Sequence, residues 1–333
     1  MCLYPRLLKN KKYTKNNKNG GKIPAVSDER TLLVPVKCGN CLECMKAKSR
    51  EWQIRLQEDI RHNKNGIFIT LTFSDESYYK LAEEFYGIYG YLLDNQICKL
   101  AVRRFLERWR KKYKKSIRHW LITEIGHNGT KNVHMHGILW TDKVTEIEKI
   151  WQYGYVWTGN VKNGIRENYV NERTINYITK YITKKDLVNR EYKPVILTSA
   201  GIGSGYMKRL DSKRNVFKGE KTKETYTTKS GHEVSLPIYW RNKIYTEEER
   251  EKLWIEKLNK ETRYVMGEKV NISKGTEEYE KLLKYHQKRN EELGYKTIEG
   301  DEQRKLYERN QRMLQQITRI KKGKAKLEKK SRK

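Results

Sequence analysis

The stretch Ile67-Phe-Ile-Thr-Leu-Thr-Phe73 decides the fold prediction, because it alternates bulky apolar residues with threonine. Successive side chains of a strand point to opposite faces, so the apolar residues share one face while Thr70 and Thr72 share the other. Two more strands are predicted at residues 120–125 and 133–140, joined by a loop that contains Asn128-Gly129. Helical periodicity in other parts of the chain then indicates the α+β class.

The second of these later strands carries two of the seven histidines of the chain. His134 and His136 lie on one face, and two imidazoles two residues apart can bind one cation. Glu124, on the neighbouring strand, is placed to add a carboxylate. Such a site would take Mg²⁺ or Mn²⁺ when a phosphate supplies the remaining oxygens. The alternative is a pair of half-buried histidines without metal.

A helix is predicted to begin near Asn171 and to contain N-Y-I-T-K-Y-I-T-K at residues 176–184. Its core-facing stripe consists of isoleucines, at Ile175, Ile178 and Ile182. Tyr177, Tyr181 and Lys184 lie together on a different face. A phenolate is a competent nucleophile for phosphorus, but it needs a cation or base nearby, which Lys180 or Lys184 can provide. Ordinary packing at the edge of the core is the alternative for the tyrosines.

Three cysteines, Cys38, Cys41 and Cys44, stand in the sequence C-G-N-C-L-E-C. The odd total of five cysteines argues against a disulfide framework and for a reducing compartment. Thiolates at this spacing suit Zn²⁺, with Cys2 or His62 as the fourth ligand. A tight turn with reduced thiols is the alternative.

The chain has 333 residues, with 72 Lys plus Arg against 41 Asp plus Glu, a net charge of +31. A charge of this size implies an acidic polymer as partner, most commonly nucleic acid, rather than a merely solvated basic face. One predicted helix, at residues 100–118, concentrates this charge on one side. The candidate phosphate-binding residues there are Arg103, Arg104, Arg108, Arg110, Lys111 and Lys112. No run of 18 or more apolar residues exists, and residues 1–8 are too short and mixed for a signal peptide, so neither a membrane span nor secretion is expected.

Taken in order, F-I-T-L-T-F, H-M-H and Y-I-T-K-Y-I-T-K resemble the HUH-family rolling-circle replication initiators. The two tyrosines four residues apart are similar to those of the two-tyrosine class found in small single-stranded DNA phages. The opening M-C-L-Y-P-R-L and the C-G-N-C-L-E-C motif, with Arg50, Trp52 and Arg55, are similar to the initiator of gokushovirus-like microviruses. The resemblance covers about residues 1–210.

This resemblance implies a central antiparallel sheet with helices on one face, related to the RRM and ferredoxin-like folds. It implies His134 and His136 as metal ligands, with Glu124 as a less firmly placed third ligand, and Tyr177 and Tyr181 as nucleophiles. The implied reaction nicks a single-stranded origin, forms a 5′-phosphotyrosine link, and rejoins the DNA in the host bacterial cytoplasm. A host polymerase would extend the free 3′ end. A host helicase would unwind the duplex, since no G-x-x-x-x-G-K-[ST] motif occurs.

The expected organisation has three segments. Residues 1–62 hold a mobile basic arm, the cysteines and a helix; residues 63–215 form the endonuclease core; residues 216–333 form a charged helical extension whose last residues, 320–333, are expected to be solvated or partly disordered. The competing function is a non-catalytic, zinc-containing nucleic-acid-binding protein for packaging or regulation, which leaves H-M-H and the tyrosines unexplained. A conjugative relaxase or a transposase would use the same chemistry.

Overall fold

The computed structural model describes residues 2–126, 131–162, 165–184, 186, 188–295 and 302–332. The predicted loop with Asn128 and Gly129 lies outside these residues. The helices of the described chain are α1 (Leu42–His62), α2 (Asp75–Ala82), α3 (Gly90–Tyr113), α4 (Val144–Trp151), α5 (Glu172–Thr183), α6 (Ile238–Ile244), α7 (Glu247–Asn259), α8 (Glu277–Glu292) and α9 (Glu302–Ser331). Among them, none combines the length and the apolar composition that a membrane span requires.

The strands are mostly short, and eight of them form two-stranded ladders. They are β1 (Arg6–Lys9), β2 (Leu33–Val36), β3 (Gly66–Leu71), β4 (Arg118–Ile125), β5 (Val133–Trp140), β6 (Val156–Trp157), β7 (Asn160–Lys162), β8 (Ile165–Glu167), β9 (Ile196–Thr198), β10 (Thr225–Thr227), β11 (Glu233–Ser235), β12 (Thr262–Val265) and β13 (Glu268–Asn271). The remaining five form an antiparallel sheet in the order β6-β3-β5-β4-β9. The α+β class with a central antiparallel sheet is thereby confirmed.

One face of this sheet carries the main hydrophobic core. Ile69, Leu71 and Met135 are fully buried there, together with apolar residues of α2, α3 and α4. The opposite face carries α5, whose Tyr177 ring lies 6.0 Å from the Phe68 ring of β3. The expected helices therefore cover one face, and α5 is an additional helix on the other.

Helix α3 is shifted relative to its prediction at residues 100–118. It begins at Gly90 and ends at Tyr113, where Lys114 adopts a left-handed backbone conformation with φ of 57°. This turn breaks the helical hydrogen-bond pattern, so that the chain enters β4 at Arg118.

Residues 320–333 differ from the expected solvated or disordered tail, since α9 continues as a helix to Ser331. The basic residues of the tail have acidic partners at the start of α2. Asp75 forms ion pairs with Arg319 at 3.2 Å, Lys322 at 3.2 Å and Lys326 at 2.8 Å. Gly323 lets the two helices approach, because a Cβ there would lie 2.2 Å from the Asp75 carbonyl oxygen.

The described residues fall into two compact units that alternate along the sequence, in contrast to three consecutive segments. One unit draws on residues 1–55 and 204–297, and the other on residues 56–203 and 298–333. The first contains the arm that was expected to be mobile. In the structure Lys12 forms an ion pair with Glu251, and the Tyr13 hydroxyl donates to the same carboxylate at 2.6 Å, because the acid-rich helix α7 supplies partners for the arm. The second unit contains the five-stranded sheet.

Candidate active site and cysteine cluster

Strand β5 carries both predicted histidines on the face away from the main core, as strand alternation requires. Gly137 follows them at a point of close approach. A Cβ at Gly137 would lie 2.1 Å from the Trp120 carbonyl oxygen of β4. The glycine therefore lets β5 pair closely with β4, where Glu124 lies directly opposite His134.

Glu124, His134 and His136 form a compact group, here named the Glu–His–His group. The two Nε2 atoms are 3.0 Å apart, and Glu124 Oε2 lies 3.3 Å from that of His134 and 3.1 Å from that of His136. Each ring is held through its other nitrogen. His134 Nδ1 donates to the Asn132 carbonyl oxygen at 3.1 Å, and His136 Nδ1 is hydrogen-bonded to Thr70 Oγ1 at 2.9 Å.

These distances suit a divalent cation. Two ligand atoms about 2.1 Å from one ion and at right angles to each other are about 3.0 Å apart. Because lone pairs of three ligand atoms face one another within 3.3 Å, a shared cation would offset their repulsion. Outer hydrogen bonds from a backbone carbonyl and a hydroxyl are typical of metal-binding histidines.

Lys184 completes the charge balance of Glu124, since its Nζ lies 2.8 Å from Oε1. Burial raises the pKa of Glu124, but hydrogen bonds from His134, His136 and Lys184 outweigh burial and leave that pKa well below its ordinary value of 4.5. Glu124 is therefore a carboxylate throughout the physiological pH range.

Helix α5 begins where the sequence predicts, with Asn171 as its N-cap and a capping box to Thr174. The isoleucine stripe is buried: Ile175, Ile178 and Ile182. The tyrosine pair, Tyr177 and Tyr181, lies on another face, and the Tyr181 hydroxyl donates to that of Tyr177 at 2.7 Å. The Tyr181 ring stacks on His136 with a centroid distance of 4.8 Å.

The two tyrosines differ in environment. Tyr177 is 50 % exposed, whereas Tyr181 lies between His136 and the ammonium of Lys184, which is 5.5 Å from its ring centre. Burial, the hydrogen bond to Tyr177 and the charge of Glu124 raise the pKa of Tyr181 above its ordinary value of 10.0. Lys180 is exposed, and in the described part of the chain it makes no contact with either phenol.

The other predicted cluster also forms, in the first compact unit. Cys2, Cys38, Cys41 and Cys44 each place Sγ within 4.8 Å of the others, and this group is here named the cysteine cluster. Of the two candidates for a fourth member, the structure supplies Cys2 and not His62. All four thiols are free of disulfides.

The geometry of the cysteine cluster fits a tetrahedral zinc site. Zn–S bonds of about 2.3 Å place neighbouring sulfurs about 3.8 Å apart. The distances are 4.0 Å between Cys2 and Cys41 and 3.9 Å between Cys38 and Cys44. A hydrogen bond from Cys44 lowers the pKa of the Cys41 thiol from 9.0 to about 5, which favours the thiolate that binds metal.

The predicted DNA-binding residues of α3 are partly occupied by protein contacts. Arg104 pairs with Glu84, Lys112 with Glu146, and Arg103 with Glu107 of the same helix. Arg108 donates to the carbonyl oxygens of Ile150 and Trp151, each at 2.9 Å, and so closes the end of α4. Arg110 and Lys111 are exposed and have no ion pair within the described residues. Helix α3 packs on the sheet face opposite the tyrosine pair.

Two positioning residues were not assigned a role from the sequence. Thr70 holds His136, and its position on the polar face of β3 is the signal that points to it. Asn168 holds the free edge of β3 by accepting from the Phe68 N–H at 3.0 Å and donating to the Phe68 carbonyl at 2.6 Å. No sequence pattern marks Asn168, because its partner is 100 residues away.

Comparison with known families bears on this same region. Residues 66–186 match a family model of replication-associated proteins of the ORF2 type. The matched segment is about a third of the chain and contains the Glu–His–His group and the tyrosine pair. It supports a replication-initiator role. Comparison with curated proteins and with solved structures gave no match.

Proposed function

We propose that this protein is a nicking and joining enzyme that initiates rolling-circle replication of a small single-stranded DNA phage, of the two-tyrosine class and similar to gokushovirus-like microviruses. The observation that carries the proposal is the contact between the tyrosine pair and a histidine of the Glu–His–His group, with Tyr181 stacked on His136. A nucleophile next to a cation-binding group is the arrangement that phosphoryl transfer requires.

Glu124, His134 and His136 are the residues that would hold Mg²⁺ or Mn²⁺. When bound, the ion supplies Lewis-acid polarisation of the scissile phosphate. Thr70 and the Asn132 carbonyl hold the two rings, and Lys184 holds the carboxylate.

Tyr177 is proposed as the first nucleophile because it is the more exposed phenol and accepts the hydrogen bond from Tyr181. Its phenolic proton passes to solvent, its oxygen forms a bond to phosphorus, and the bond from phosphorus to the 3′ oxygen breaks. The 3′ oxygen takes up a proton and becomes the primer end for a host polymerase. The tyrosyl phosphodiester conserves the bond energy, so joining needs no ATP.

Tyr181 serves the second transfer. After one round of synthesis it attacks the regenerated origin, and the freed 3′ hydroxyl then displaces Tyr177 and closes the circle. The 2.7 Å separation of the two hydroxyls lets both reach one phosphate position. Unwinding by a host helicase, and action in the host bacterial cytoplasm, belong to the same proposal.

Zn²⁺ is the proposed ligand of the cysteine cluster, with a structural role in the first compact unit. Leu3 and Val265 pack around the cluster, so loss of metal would loosen this small core. We expect about one Zn²⁺ per chain, lost in Cys38→Ser with Cys41→Ser, and a thiolate-to-metal absorption band after cobalt substitution. Absence of that band in the folded protein would contradict the zinc assignment.

The catalytic proposal is tested with single-stranded DNA carrying the phage origin and Mn²⁺. Replacing His134 and His136 with alanine should lower cleavage by about 100-fold or more, since Lewis-acid catalysis contributes several kcal/mol. DNA binding should persist because phosphate contacts dominate affinity. His232→Ala, at an exposed histidine, is the matched control. Undiminished metal-dependent cleavage in the double variant would contradict the metal assignment.

The tyrosines are tested in the same assay. Tyr181→Phe should still nick but fail to release circles, Tyr177→Phe should nick more slowly, and the double variant should not nick. Full nicking by the double variant would exclude both nucleophiles.

A further inference from the structure

Aromatic rings continue from the tyrosine pair toward one edge of the sheet. Phe68 lies 6.0 Å from Tyr177, and on its other side Trp157 of β6 meets it edge-on at 5.6 Å. Trp157 is opposite Thr70, the residue that holds His136. These contacts place the indole at a fixed position on the same sheet face as the candidate site.

The rings at this edge are not part of the hydrophobic core. Val156 points to the core and is buried, so Trp157 and Tyr155, on either side of it, are directed to the other face. Tyr155 is 64 % exposed, and β6 is the terminal strand of the sheet. The backbone of Tyr155 is fixed by Thr72, whose N–H donates to its carbonyl oxygen at 3.0 Å. The two aromatic residues are thus held in place while their rings remain partly exposed to solvent.

We propose that Trp157 and Tyr155 form a stacking surface for nucleobases of the single strand that lies next to the phosphate attacked at the tyrosine pair. The identity of the ligand rests on the proposed function. Nucleobases fit because aromatic rings beside a basic groove are how proteins hold single strands without reading sequence. The exposed lysines of α5 and the net charge of +31 supply the attraction for the phosphates. Stacking at Trp157 would fix the strand relative to the nucleophiles.

The test measures the dissociation constant of the full chain for oligothymidylate and for an abasic strand of the same length, by fluorescence anisotropy without divalent metal. Trp157→Ala with Tyr155→Ala should weaken binding of oligothymidylate by about 5- to 100-fold, the range measured for one base on an aromatic ring. Binding of the abasic strand should be unchanged. Trp157→Phe alone should retain most of the affinity, and the slope of affinity against salt should not change.

Tyr86→Ala is the matched control, because Tyr86 is 99 % exposed and follows α2 on the other side of the sheet. Thermal unfolding of each variant checks that the fold is retained. Equal dissociation constants for wild type and the Trp157 variants, or equal losses on both strands, would overturn the inference. Because the assay measures binding alone, nicking by a protein that binds normally without Trp157 would refute this surface and leave the proposed function intact. Base-dependent binding without nicking would do the reverse.

Discussion

At the scale of single residues, the candidate site depends on which nitrogen of each histidine faces the carboxylate. The Asn132 carbonyl can only accept, so His134 Nδ1 carries the hydrogen and Nε2 has a free lone pair. Thr70 holds the second ring through the corresponding nitrogen, Nδ1 of His136. Both rings therefore turn Nε2 toward the carboxylate, which prepares the Glu–His–His group for a cation.

Thr70→Val should therefore weaken metal binding by about 10- to 100-fold, the usual effect of removing an outer-shell partner. Valine keeps the shape and the strand preference but loses the hydroxyl. The measurement is Mn²⁺ affinity by calorimetry, with Thr70→Ser expected to restore it. Thr72→Val is the control, because Thr72 lies on the same face and bonds the Tyr155 carbonyl instead. Equal affinities for wild type and Thr70→Val would contradict this role.

The sequence predicts much of this site because its residues lie on regular elements. Alternation along β5 puts both histidines on one face, and helical spacing along α5 puts the tyrosines together. The contacts between these elements are not predictable in the same way. The stacking of Tyr181 on His136 joins residues of different elements and depends on how α5 crosses the sheet.

At the scale of elements, α9 is attached to α2 by charge. Burial raises the pKa of Asp75, but hydrogen bonds from Lys326, Lys322 and Arg319 outweigh burial and lower that pKa from 3.8 to about 2. A pKa that is lower in the folded state stabilises the fold at pH values above the unfolded pKa. This stabilisation should be about 1–2 kcal/mol above pH 4 and should be lost as the pH falls from about 4 to about 2.

Asp75→Asn should accordingly lower the free energy of unfolding at about pH 6 and have a much smaller effect near pH 2. Urea unfolding at the two pH values measures the difference. Asp142→Asn, at an exposed aspartate of the same unit, serves as the control. An equal loss for Asp75→Asn at both pH values would show that the carboxylate charge is not what stabilises the contact with α9.

The order of α9 could not be predicted from its own sequence, which is dominated by charge. Its partners are remote: Arg312 forms a buried ion pair with Asp94 at 2.8 Å across 218 residues. A basic tail in isolation is typical of a solvated segment, and only the acidic start of α2 and the buried Asp94 change that outcome. The same holds for the two alternating units, whose members are close in space but distant in sequence.

At the scale of the whole molecule, the net charge of +31 predicts DNA binding that weakens steeply with salt. The α3 residues differ in what they can contribute. Arg110→Ala with Lys111→Ala should reduce the slope of log affinity against log salt by about 2 if each contacts one phosphate. Arg108→Ala should lower thermal stability instead, because it bonds the end of α4.

Anisotropy titrations over a range of salt concentrations provide that slope. Because α3 packs on the sheet face opposite the tyrosine pair, the Arg110 and Lys111 substitutions should not change cleavage at saturating DNA. An unchanged slope would assign these two residues to a solvated surface.

The most direct test of the central claim is to identify the covalent intermediate. The protein is incubated with single-stranded origin DNA and Mn²⁺, denatured and digested, and the DNA-linked peptide is sequenced by mass spectrometry. We predict a 5′-phosphotyrosine at Tyr177 or Tyr181, within the peptide of α5. Salt-sensitive binding to a competent origin with no tyrosine adduct would contradict the account and favour a non-catalytic nucleic-acid-binding protein.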